Sequence, residues 1–204
     1  MRDRSASALK EWSSVVAALR SGRQALLIRK GGLADRGKAF ALEDTEFFLY
    51  PTYLHQQVEF VKPEFVPDFR QALVPPAPEG LLALDTYAVA QEALPVATRE
   101  ALLRLAPLHT WNERFIDHRL QWKPEDPAWV VPVRVYRLPA PVLLPEERRY
   151  RGCRSWVKLA REVSTLGATP VLSDGEFAAY VTAVRERLTH PLVAAPPGAR
   201  PGAG

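Results

Sequence analysis

SALKEWSSVVAALRSGRQALLIR, residues 7–29, contains the change of period that decides the fold class. Leu9, Trp12, Val15, Val16 and Leu19 recur at helical spacing, which predicts an amphipathic helix over residues 7–20. Gly22 stands where a helix needs a left-handed terminator, a conformation glycine adopts without a Cβ penalty. QALLIR, residues 24–29, then reads as a buried strand ended by Gly31-Gly32. An apolar helix face turning directly into a buried strand predicts helices packed on a sheet.

Working outward, Phe47 to Tyr50 reads as a second strand stopped by Pro51. A short helix is expected from Leu54 through Val61, with Pro63 and Pro67 breaking the segment after it, and residues 74–80 (VPPAPEG) form a loop. Residues 81–96 contain another strand, and Thr98 starts a helix through Leu105. Thr110-Trp111-Asn112-Glu113 has the spacing of a capping box, opening a helix that ends near Leu120. AWVVPVRVYR, residues 128–137, is a strand in which Pro132 marks an edge or bulge. Ser173-Asp174-Gly175-Glu176 is a second capping box, and Phe177, Tyr180, Val181, Val184 and Leu188 make the stripe of the last helix.

Helices and strands mix without a regular βαβ rhythm. The expected fold is therefore α+β: a small mixed β-sheet or pseudo-barrel flanked by helices, with a C-terminal helix. The 204 residues suit one domain over 1–190, followed by a Pro/Ala/Gly-rich tail, 191–204, expected to be disordered. The lone cysteine, Cys153, excludes an internal disulfide. No apolar run approaches the length of a membrane span, so a cytoplasmic protein without a membrane partner is expected.

The net charge is only +4, but it is unevenly spread. Arg20, Arg23, Arg29, Lys30, Arg36 and Lys38 crowd one segment, and Arg148, Arg149, Arg151, Arg154, Lys158 and Arg161 another, while residues 39–102 are acidic. Such asymmetry builds a local anion-binding face on a nearly neutral molecule, and the competing reading is a solvated arginine-rich surface.

Gly32 to Gly37-Lys38-Ala39 nearly spells a phosphate-cradling loop, but Ala39 lacks the hydroxyl that would hold magnesium, so a charged turn is the better reading. No acid stands two residues before any lysine, which argues against a restriction-type metal site, and the serine-hydrolase elbow is absent. Four scattered histidines and one cysteine do not compose a zinc site, so neither metal nor cofactor is expected. His55 and His109 fall at element ends, where a pair beside Arg29 or Lys30 would cleave RNA without metal. The simpler reading is that each bonds local backbone. Trp111, Trp122 and Trp156 each neighbour basic residues, as stacking platforms for bases do, although tryptophan more often fills a core.

Several segments together resemble the bacterial domain-of-unknown-function 1802 family: ALKEW, LLIRKGG, FFLYPTYLHQ, HTW with RLQWKP, VRVYRL and YRGCRSWVKL. The resemblance extends over most of the chain up to about residue 190. It implies work on DNA, because related domains occur with restriction-endonuclease-like domains; here a cutting partner would be a separate nuclease protein. More weakly, EWSSVVAALRSGRQALLIRKGG is similar to the opening of ASCH and related PUA-like domains, small β-barrels that bind RNA or modified bases. That similarity implies that Arg29, Lys30, His55, Gln56, His109 and Trp111 converge near one cleft.

The leading expectation is a nucleic-acid-binding module for DNA or RNA, reading bases in a restriction or defence system. Arg29, Lys30, Arg119, Arg151 and Arg154 would contact phosphate, Trp111 and Trp122 would stack, and His55 and Gln56 would read polar edges. One alternative is a metal-independent nuclease or phosphate-ester hydrolase using His55 and His109. Another is a protein-interaction scaffold.

Overall fold

β1 (Arg4–Trp12) runs between two other strands, parallel to β3 (Glu46–Thr52) and antiparallel to β7 (Trp156–Ser164). The computed structural model describes residues 1–30, 44–152 and 154–189. Among them, the sheet has eight strands, six of which follow the path β2-β6-β4-β3-β1-β7, where β2 is Leu26–Arg29, β4 is Leu81–Ala90 and β6 is Ala128–Pro145. β5 (Leu94–Val96) and β8 (Thr169–Pro170) pair with β6 off this path. The fold is thus mixed α+β with an open sheet rather than a pseudo-barrel, its path ending at β2 and β7 among the described residues.

The helix expected over 7–20 forms only from residue 13, as α1 (Ser13–Arg20); residues before it are strand. The reason is burial on both sheet faces. Ala8 and Leu9 are both fully buried, Leu9 in the larger core cluster and Ala8 in the one with Phe48 and Tyr87. When both faces are covered, strand alternation disappears and a helical spacing can arise by coincidence. Trp12 (ψ 138°) is the last extended residue, and Gly22 at φ +75° terminates α1 as expected.

Proline misled two boundaries. β3 continues through Pro51, which lies opposite Glu11 in the parallel register. Pro67 starts rather than breaks a helix, α2 (Val66–Ala72), because the first turn needs no proline N–H. The helix expected at 54–61 is reduced to a 3-10 turn at Val58–Phe60. Residues 81–96 divide into β4 and β5, and β6 extends to Pro145 because β4 pairs along nearly its whole length.

Three helices complete the layer: α3 (Arg99–Arg104), α4 (Glu113–Gln121) and α5 (Asp174–Thr189). Thr98 caps α3, accepting from the Ala101 N–H at 3.3 Å. The box expected at 110–113 does not form. Asn112, not Thr110, caps α4 by accepting from Phe115 N–H, while the Thr110 hydroxyl donates to Gln24 Oε1 at 3.1 Å. The box before α5 is reciprocal: Ser173 N–H donates to Glu176 at 2.7 Å, and Glu176 N–H to the Ser173 hydroxyl at 3.3 Å. None of the described helices is long and apolar enough to cross a membrane.

Candidate functional site

Because residues 4–12 are a strand, Glu11 arrives beside the end of β2, where LLIR gives way to a cation. Arg29 Nη1 donates to Glu11 Oε2 at 2.7 Å and to the Lys10 carbonyl at 3.2 Å. Its Nη2 donates to the Ser155 hydroxyl at 2.8 Å, one residue before β7. The Glu11 and Arg29 side chains are only 11% and 13% exposed.

α4 brings a third charge to this recess. Lys30, 3% exposed, donates to the Leu120 carbonyl at 2.8 Å and so fastens the last turn of α4 to β2. Arg119, in that same turn, stands 4.9 Å from the Phe115 ring. Burial lowers its pKa; the Glu11 carboxylate works against that, and the Arg29 charge adds to it. One carboxylate thus faces two guanidiniums, and an excess positive charge is held in a poorly solvated place. Among the described residues no acceptor reaches Arg119 Nε, nor the indole Nε1 of Trp156 on β7, and both atoms are buried.

Exposed groups lie on the segments next to these residues in the chain. Lys10 donates to the Tyr150 carbonyl, and to that of Gly152 at 3.0 Å, which holds the arginine-rich loop beside β1. Arg151 and Arg154, on that loop, are exposed. Trp122, two residues beyond the Leu120 that Lys30 binds, is 48% exposed, and Lys123 Nζ lies 5.2 Å from its ring. Arg29 of the first basic segment thus touches Ser155 of the second.

The other expected site residues are placed differently. Trp111 is 4% exposed, stacked on Phe115 at 4.1 Å and 7°, with Trp12 edge-on at 5.2 Å. Its ring is core, with no face left for a base. Gln56 accepts from the Ser14 N–H and hydroxyl and donates to the Ser13 hydroxyl and Thr52 carbonyl, tying its loop to α1. Lys30 is likewise consumed by the scaffold. His55 is exposed, at φ +61°. His109 is 2% exposed, and its Nδ1 accepts from the Trp111 N–H at 3.2 Å. Burial, with the nearby Lys62 charge, pushes its pKa down to about 3. A buried neutral imidazole and an exposed one do not compose an acid–base pair, and the polar atoms of Gln56 and the ring of Trp111 are engaged by Ser13, Ser14, Thr52, Phe115 and Trp12. The phosphate-loop match at 32–39, Cys153 and the tail at 191–204 lie outside the described residues.

Glu11 and Ser155 complete the recess, and nothing in the sequence marks them as a group. Glu11 in particular reads as the polar face of a helix until the strand is known. Among the described residues no group of three or more His, Cys, Asp or Glu side chains could hold a metal ion.

No curated protein and no solved structure matches the chain. A family match covers residues 8–183, a span that contains Glu11, Arg29, Arg119, Trp122, Arg151, Arg154 and Trp156. Extending over most of the chain, that match makes it a member of the family described as Domain of unknown function (DUF1802).

Proposed function

We propose that the chain is a nucleic-acid-binding module that holds phosphates with Arg119, Arg29, Arg151 and Arg154 and stacks a base on Trp122. The observation that carries this reading is the Arg29–Ser155 hydrogen bond, which joins basic segments more than a hundred residues apart. A half-buried guanidinium whose Nε lacks an acceptor is costly to keep, and a phosphate oxygen supplies both the acceptor and the missing negative charge. An exposed indole beside a lysine offers what single strands need, a ring face and a nearby cation. Lys30 and Trp111, expected at the ligand, belong instead to the framework. DNA is the first substrate to test, given the company that the sequence resemblance implies, with a separate nuclease as the expected partner.

The test is fluorescence anisotropy with single-stranded DNA, duplex DNA and RNA across a salt series. Affinity should fall linearly on logarithmic axes, and the combined Arg151→Ala and Arg154→Ala variant should flatten that slope by about 0.7 to 0.9 for each phosphate no longer neutralised. Trp122→Ala should weaken single-strand binding by about tenfold. Binding indifferent to salt, or absent for all three polymers, would overturn the reading.

A further inference from the structure

A second feature is independent of that basic face and shares none of its residues. α1, α2, β3 and β4 border a cavity of 540 Å³. Its inner wall is apolar: Val16, Leu49, Val61 and Phe69 are all buried, and Phe65 lies beside them. Its mouth is charged but balanced. Arg20 pairs with Asp85 at 2.7 Å, and Arg23 with Asp68 at 3.0 Å. Val74, on the lip, is an exposed apolar side chain.

These facts select the kind of ligand. The volume is in the range of pockets that enclose small molecules, and the walls are mostly apolar with a few polar groups at one end. An anion is disfavoured, because capturing it with Arg20 or Arg23 would break an ion pair and leave Asp85 or Asp68 facing the incoming charge. A cation meets the mirror problem. The polar group best placed to orient an uncharged molecule is the Tyr53 hydroxyl. It lines the cavity, and it holds its proton above the usual phenol range because of burial and then the neighbouring Asp85 charge. It is therefore a firm donor.

We infer that this cavity binds an uncharged, ring-bearing small molecule, with its ring against Phe65 and Phe69 and its polar edge at Tyr53 and Asp85. The site stands whether or not the chain binds nucleic acid.

The probes are indole and adenosine as uncharged rings, with adenosine 5′-monophosphate as the charged counterpart, added to the full chain. Binding is read by saturation-transfer NMR and by the shift in thermal midpoint. Both uncharged probes should bind, and the monophosphate should bind at least about tenfold more weakly than adenosine. Ala17→Phe, which fills the cavity from α1, should abolish binding of both rings. Should that variant not fold, Tyr53→Phe serves instead, weakening adenosine severalfold while leaving indole unchanged. The inference fails if neither ring binds the wild-type chain up to its solubility limit, or if the monophosphate binds more tightly than adenosine. It fails equally if the folded Ala17→Phe chain binds as well as wild type, or if Tyr53→Phe leaves adenosine binding intact.

Discussion

Glu11 Oε2 lies 2.7 Å from Arg29 Nη1, and the same carboxylate offsets the burial of Arg119. Removing it would leave two guanidiniums facing each other in a poorly hydrated recess. Breaking a buried pair by deleting one partner costs about 3–5 kcal/mol, mostly the penalty of the stranded charge. Glu11→Ala should lose stability of that size in urea unfolding. The loss should shrink in an Arg119→Met background, because one of the two stranded cations is then gone. Strictly additive losses would show that Arg119 does not depend on Glu11.

His109 gives the fold a pH dependence of definite sign. Burial, and then the nearby Lys62 charge, keep its imidazole neutral in the folded chain down to about pH 3. In the unfolded chain the same ring takes a proton below about pH 6.5. Between those values protonation favours unfolding. The His109 contribution is therefore complete above 6.5 and declines as pH falls, by up to about 1.4 kcal/mol per unit, until about 3. Asp117 and Glu176, held low by Arg99 and Ser173, lose stabilisation in the same direction, so the comparison must be internal. His109→Asn retains an acceptor for Trp111 without a titrating ring. Its urea midpoint should fall less steeply between pH 7 and pH 4 than that of the wild type, and parallel slopes would refute the assignment.

The sequence was legible where the physics is local. The caps at Thr98 and Ser173, the terminator Gly22 and the stripe of Phe177, Val181 and Val184 depend on neighbours within one or two turns, and each appears where the chain predicts it. β1 depends on partners about forty and a hundred and fifty residues away, at Phe48 and Val157, so propensity could not announce it. Misreading that strand hid Glu11 and with it the recess. The same distance explains Gln24, which reads as an ordinary polar residue at the start of a strand. It is 1% exposed and accepts from both Thr110 groups, which removes Thr110 from the cap the sequence offered it. Charge clustering pointed to Arg29, which reaches Ser155 inside the second basic run, but Arg20 and Arg23 of the first run pair with Asp85 and Asp68 at a separate cavity.

Trp111 and Trp122 should separate cleanly when each is replaced by alanine. Trp111 fills the core between Phe115 and Trp12, and a buried tryptophan reduced to alanine typically costs about 3–5 kcal/mol. Trp122 is 48% exposed, so its removal should change stability by no more than about 0.5 kcal/mol. Chemical denaturation of both variants checks this directly. A large loss at Trp122 would mean that its ring secures α4 rather than presenting a surface.

Gly22 and Gly80 offer a matched pair for separating backbone strain from packing. Both hold the left-handed conformation, at φ +75° and +79°, so alanine at either should cost about 1–2 kcal/mol through strain alone. A Cβ at Gly80 would meet nothing within 4 Å, whereas one at Gly22 would lie 3.1 Å from Leu172 Cδ2 and 3.3 Å from Val171 Cγ1. Those two side chains lead into α5, so crowding at Gly22 is felt where the C-terminal helix begins. Gly22→Ala should therefore be the more destabilising of the two, by on the order of 1 kcal/mol, when both unfold in urea. Equal losses would mean that Leu172 swings aside freely, and that the end of α1 does not help to position α5.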